Sequence, residues 1–491
     1  MTCIVVLFFC LGAKGQSRVG IFESHQDIGQ PKLKGNVQYD ASQQTYLFSG
    51  SGRNIWDKED QFHFAWKKLK GDFMIQARVH FIGSGMHAHR KAGIMLREDL
   101  TPDGRCAMVS LHGDGLTSLQ FRSVKAGSIE ELKSNSIAPM DIQLERKGSL
   151  IILYGAAAGE NWKTLSMEVT LSDEVFAGLF ICSHDEATIE QATFSNVRIV
   201  IPPAKGYVPY QDYIGSHLEI MNVSTGHRKI LMSVPYSLQA PNWTPDNKSL
   251  IYNAEGKLYR FALANGNVDQ LNTGGLYNNN NDHVLSMDGK LLGISHHIGQ
   301  ISTIFVLPSG GSDHPEQITS ERSGDSYLHG WSPDNKSLLF VGNRNKVYDI
   351  YSVDLATKKE ARLTDNPVLD DGPEYTPDGK YIYFNSVRTG TMKIWRMKPD
   401  GSEQEQITFD EYNDWFPHIS PDGKWIVYLS FPKEIDPSTH PFYKQIYLRL
   451  MPASGGVART IAYLYGGQGT INVPSWSPDS QWIAFVSNSQ L

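Results

Sequence analysis

The chain has 491 residues, 40% of them hydrophobic and 20% charged, with a formal net charge of −7. That length suits about two or three globular domains. Mild acidity without a basic stripe excludes nucleic acid as the expected partner. The first element in chain order is the apolar run Cys3–Leu11, followed by Ala13-Lys14-Gly15. It has the form of a signal-peptide core with a small-x-small cleavage site before Gln16. Residues 1–15 are expected to be removed and the mature chain to be periplasmic or secreted; a buried first strand is the alternative. No other stretch is long and apolar enough to span a bilayer.

Residues 18–200 read as many short strands with alternating apolar positions and no helical period, among them Phe73–Val79, Ala92–Arg97, Ser118–Arg122, Met140–Arg146 and Leu150–Tyr154. This pattern predicts two packed sheets. Gly71-Asp72-Phe73 and Lys91-Ala92-Gly93-Ile94-Met95-Leu96-Arg97 resemble the concanavalin-like (laminin-G-like) jelly-roll domains found beside carbohydrate-active modules. Cys106 and Cys182, the two cysteines left after cleavage, fall in apolar strand contexts that suit free thiols or a disulfide equally. His87, His89 and Arg90 follow Gly83-Ser84-Gly85 and read as a solvated loop. Residues 201–209, opening Ile201-Pro202-Pro203, form a linker rich in residues that stop helix and sheet.

From about residue 210 one phrase recurs six times: Trp243-Thr244-Pro245-Asp246, Leu285-Ser286-Met287-Asp288, Trp331-Ser332-Pro333-Asp334, Tyr375-Thr376-Pro377-Asp378, Ile419-Ser420-Pro421-Asp422 and Trp476-Ser477-Pro478-Asp479. Its interval of roughly 40 to 60 residues matches propeller blades, which run at about 40–50. Proline presets φ at a turn corner, and Ser/Thr and Asp bond back to nearby amides. Each phrase therefore ends one strand and opens a hairpin, and four antiparallel strands follow per unit. The last unit reaches Leu491 with two strands. Its outer pair is expected from His217–Met221 and Lys229–Met232, which closes a ring of six blades over 210–491 and removes free sheet edges. The fold class is therefore all-β, a sandwich followed by a six-bladed β-propeller. The repeat resembles the TolB-like (WD40-like, PD40) propellers. That resemblance implies fold more than function, since such rings serve as binding platforms, accessory domains and lyases.

The phrase turns lie on one face of the ring and are uniform, which reads as structural. The loops of the other face vary and are polar, which reads as a site. They carry Asn281, Asp282, His296, His297, Arg344, Asp371, Glu374, Arg388, Asp414, Trp415, His440 and Gln468. His283, His329 and His418 each lie two or three residues before the Ser of a phrase. Three imidazoles converging on a central channel, with Gln468 or Asp282 supplying oxygen, are a candidate divalent-metal site. The arrangement also resembles oligogalacturonate lyases, which hold a metal with histidines and a glutamine. In that reading the metal neutralises a uronate carboxylate, Arg344 or Arg388 pairs with it, and His297 is the base. Trp415 offers a sugar-stacking face or core packing. No Gly-x-Ser-x-Gly elbow occurs, against a propeller-capped peptidase. Three functions follow in order: an exported glycan- or polymer-binding protein with a polysaccharide or oligosaccharide partner, a metal-dependent polysaccharide lyase, and a platform for a protein or peptide partner.

Overall fold

The computed structural model describes residues 18–208, 210–344 and 346–491, so the signal-peptide expectation lies outside the described residues. The chain divides into two units. One comprises the residues through Ala157 together with Trp162–Arg198; the other comprises Ala158–Asn161 with Ile199–Leu491. Among the described residues no helix is long and apolar enough to cross a membrane, and the only helical turn is the 3-10 segment Glu321–Ser323.

The first unit is built on two seven-stranded sheets. Side chains such as Phe62, Phe64, Met95, Met108 and Phe180 form one apolar cluster within it. The nearly continuous apolar run of Lys91–Arg97 and Cys106–His112, buried throughout, explains why both strands sit mid-sheet. Cys106 and Cys182 are free and buried, and desolvation pushes both thiols up to about 11. They are therefore neutral packing groups rather than a disulfide.

The second unit is a six-bladed ring. Five blades are four-stranded sheets, and their first strands are Leu238–Trp243, Asn279–Leu285, Ser326–Trp331, Asp370–Tyr375 and Asn413–Ile419 (blades 1 to 5). Blade 6 is completed from both chain ends. Trp482–Asn488 pairs antiparallel with Ser216–Asn222, which pairs with Arg228–Val234. The expected closure is thus observed, with Ser216 opposite Asn488 and Asn222 opposite Trp482.

The repeated phrase has an atomic reason. In all six copies the Ser or Thr hydroxyl donates to the Asp carboxylate two residues on, at 2.5–2.8 Å. The same oxygen accepts the amide N–H five residues on, at 2.9–3.1 Å. The residue after the Asp turns through positive φ in every copy: Asn247, Gly289, Asn335, Gly379, Gly423 and Ser480. Glycine and asparagine tolerate that conformation best. Trp331 Nε1 donates to Val284 O and Trp476 Nε1 to His418 O, each across to the preceding blade, so these tryptophans join blades. Ser420, fully buried, gives a direct check. Ser420→Ala removes the acceptor of the Trp425 amide and should cost about 1–2 kcal/mol. Ser420→Thr should be nearly neutral, because blades 1 and 4 use threonine there. Chemical unfolding of the two variants decides it.

Candidate ligand-binding site at the mouth of the propeller

The inner strands do not run straight to the phrase. In each of blades 1 to 5 the pairing of the first and second strands slips, for example between Asn279 and His283, Asp371 and Glu374, and Trp415 and His418. Ala240, Gly372 and Phe416, each four residues before the Ser or Thr of its phrase, carry the slip at φ +54 to +60. A bulge of this kind reverses which side chains face inward. It therefore sorts the polar residues ahead of each phrase into two classes.

One class opens into a cavity of about 580 Å³, a typical size for a small-ligand site. Asn281, Tyr327, Asp371 and Asn472, each five residues before the Ser or Thr of its phrase, bring blades 2, 3, 4 and 6 to its wall. Asp282 and His329 line it beside them, with His297, His440 and Gln468 from the surrounding loops. His329 Nε2 pairs with Asp371 Oδ1 at 3.2 Å. Burial opposes charge on both partners, but their mutual contact prevails: His329 is raised above the usual histidine value, and Asp371 is lowered below the usual carboxylate value. Asp282 lacks such a direct partner. Burial raises its carboxyl to about 6, with the charge of Asp371 adding to the effect and His329 opposing it. The Asn280 side-chain amide donates to Asp282 Oδ2 at 2.7 Å and orients it. Burial also lowers His440, whose ring packs on Trp415 with centroids 4.4 Å apart. Asn281 Nδ2 and His440 Nδ1 are buried without a hydrogen-bond partner.

A second cavity of about 430 Å³ shares Asn280, Asn281, His297 and Gln468 with the first. Tyr210, Tyr213, Tyr236 and Phe442 give it an aromatic wall. The two make one elongated depression with a polar inner end and an aromatic outer end.

The other class of residues is structural, and several expectations need correction. His418 directs Nδ1 at Glu374 Oε2 and Nε2 at Ile471 O, both at 2.6 Å, so neither nitrogen has a lone pair free for a metal. Glu374 also accepts the Ile419 amide and clips two blades together, away from the mouth. His283 is fully buried, directs Nε2 at Ile251 O, and is held at about 4 by desolvation. The expected His283–His329–His418 metal set therefore does not converge; His329 and Gln468 reach the cavity and the other two do not. Both arginines are committed inside their own blades. Arg344 holds Glu360 and Ser326, and Arg388 forks onto both oxygens of Asp370 at 2.8–2.9 Å. Asp414, which burial raises to about 6, accepts from Ser430. Trp415 is fully buried in the core of blade 5 and unavailable for stacking. His296 packs edge-on against Phe305. Sequence reasoning missed Tyr348, Asn472 and Phe416. The signal for Asn472 was present: it is the blade-6 copy of the position held by Asn281 and Asp371.

The opposite mouth, read from sequence as inert, holds a third, more apolar cavity of about 320 Å³ ringed by Pro245, Pro377, Pro421 and Pro478 of the phrases.

Comparison with known proteins fits this geometry. The model of the TolB β-propeller (PD40) domain matches residues 312–440. An uncharacterised protein of Agrobacterium fabrum is 45% identical over 274 residues, 55% of this chain and 92% of the relative. A solved candidate TolB from Agrobacterium tumefaciens is 43% identical, with a TM-score of 0.54 over 57% of this chain and all of that one. The chain belongs to the TolB-like β-propeller family. An oligogalacturonate lyase solved with manganese is 12% identical, with a TM-score of 0.35 over 54% of this chain and 73% of that one, too slight a likeness to bear on the TolB-like chain's function.

Proposed function

We propose that this TolB-like propeller is the binding platform of an exported protein, and that its mouth takes a hydroxyl-rich, oligosaccharide-type ligand that is neutral or carries an amine. The observation that carries this reading is the pair of unsatisfied buried polar atoms, Asn281 Nδ2 and His440 Nδ1, on residues lining a 580 Å³ cavity. Buried polar groups are normally paired, and a ligand hydroxyl supplies what both lack. Side-chain amides and imidazoles suit hydroxyls in either bonding sense. The tyrosine wall beside them offers flat faces to the next ring of a longer chain. Charge argues against a uronate: Asp282 and Asp371 line the cavity, while both arginines expected to meet a carboxylate are occupied by Glu360 and Asp370. The apolar run before Gln16 supports export. We read the two-sheet unit as an accessory domain of the concanavalin type.

The metal-dependent lyase reading has less support. Among the described residues, no three imidazole or carboxylate ligand atoms of the mouth lie within 4.8 Å of one another. A printed array of neutral, amine-bearing and polyuronate glycans, probed with the full chain, tests the proposal. Capture of neutral or amine-bearing glycans is expected, with no unsaturated product absorbing in the ultraviolet from polygalacturonate. Capture of polyuronates alone, or of peptides in a parallel library and no glycan, would overturn it.

A further inference from the structure

The strand order of the first unit gathers histidines that are far apart in sequence. Glu174–Cys182, Lys91–Arg97 and Cys106–His112 are neighbours in one sheet, with Cys182 opposite Lys91 and Lys91 opposite His112. Chain extending from that shared end brings His89, two residues before Lys91, into ring contact with both His112 and His184, the latter two residues past Cys182. Ring centroids lie 5.7 Å apart for His89 and His112, and 5.8 Å for His89 and His184. One ring nitrogen each of His89 and His112 and one carboxylate oxygen of Asp114 lie within 4.8 Å of one another.

Two further observations point to a ligand. His112 Nδ1 and His184 Nδ1 are both buried with no hydrogen-bond partner, and His112 is only 5% exposed. Asp114 is already braced, since its Oδ1 accepts the Leu116 amide at 3.0 Å, while Oδ2 faces His89 Nδ1 at 4.0 Å. The neighbouring bases are committed elsewhere: Lys91 to Asn54 and Ile55 O, Arg90 to Glu190. His87 accepts the His89 amide at Nδ1 and packs on His184 with centroids 4.0 Å apart, so it orients the cluster rather than ligating.

We propose that His89, His112 and Asp114 form a binding site for a divalent transition metal of the Zn²⁺ type, with the His184 ring beside His89. Two imidazoles and one carboxylate are a donor set that suits zinc, copper or nickel rather than calcium or magnesium. Tetrahedral zinc with bonds of about 2.0–2.1 Å needs ligand atoms roughly 3.4 Å apart. His89 and Asp114, both exposed, make up the difference by side-chain rotation. Gln120 Nε2 lies 3.2 Å from His112 Nε2 and donates to Glu131 Oε1 at 2.7 Å, so Gln120 and Glu131 brace the His112 ring from the outer shell.

The test is titration of the chelator-stripped full chain with Co²⁺, read by the visible absorption of tetrahedral cobalt, followed by Zn²⁺ competition against a chromogenic chelator. About one equivalent per chain is expected, bound on the order of micromolar or tighter. His89→Ala and Asp114→Asn, at exposed positions where folding is not at stake, should each weaken it roughly tenfold or more. His314→Ala, an exposed histidine of the propeller, should leave it unchanged. Absence of a saturable equivalent, or binding indifferent to both His89→Ala and Asp114→Asn, would overturn the proposal.

Discussion

Asp60→Ala should destabilise the first unit by about 3–5 kcal/mol, the usual cost of stripping one partner from a buried ion pair. Asp60, Arg97 and Arg122 all have fully buried side chains. Arg97 Nη1 and Arg122 Nη1 donate to Asp60 Oδ2, and Arg122 Nη2 donates to Oδ1, all at 2.7 Å. Other N–H groups reach carbonyls of Asp57, Thr101 and Gly127, and Asp60 is the carboxylate both guanidiniums contact directly. Alanine therefore leaves two cations in a desolvated core without their contacting anion. Asp60→Asn keeps the shape and part of the hydrogen bonding and should fall between alanine and wild type. A unit of this size loses about 2–4 °C per kcal/mol, so a drop on the order of 10 °C is expected for Asp60→Ala. Hydrogen exchange should assign it to the Lys91–Arg97 and Thr117–Arg122 strands. An unchanged transition would mean that the triad contributes nothing.

The second large effect is pH dependence at the propeller mouth. Asp282 holds its proton to about 6, above the usual carboxylate range, because burial disfavours the charge and Asp371 adds to this. Below pH 6 the carboxyl is neutral; above it the ionised oxygen accepts from a ligand hydroxyl or amine. A ligand that donates to Asp282 favours the deprotonated form, so affinity should rise as pH goes from 5 to 7 and then level off. Charge-assisted hydrogen bonds contribute about 1.5–3 kcal/mol, roughly 10- to 100-fold in affinity. Asp282→Asn should flatten that rise and hold the variant near the low-pH affinity of the wild type. Calorimetric titration across the range reads both. A profile that rises equally in Asp282→Asn would move the titrating group elsewhere.

Much of the fold was legible because its cause is local. The Ser/Thr hydroxyl, the Asp carboxylate and the positive-φ residue after it all lie within one hairpin, so a short phrase encodes them. The blade-6 closure was legible for the complementary reason, since two strands at one end lacked partners and two at the other supplied them. The site was less legible because its determinants are not local. His329 lies three residues before its phrase serine and His418 two, and an offset of one residue along a strand reverses facing, so His329 reaches the cavity and His418 does not. Arg344 and Arg388 looked free because Glu360 and Asp370, 16 and 18 residues away, meet them only across the blade. Of the histidine cluster of the first unit only the His87–His89 loop was legible, because sheet order and not chain order brings His112 and His184 to His89.

The most direct test of the binding-mouth account is to block each end of the ring in turn. Gln468→Trp fills the wall shared by the polar cavity and its tyrosine-lined extension. Met287→Trp enlarges an exposed residue at the opposite, proline-ringed mouth. Glycan binding measured on the two full-length variants should be lost in Gln468→Trp and retained in Met287→Trp. Retention in the first with loss in the second would place the ligand on the face of the repeated turns and contradict the account.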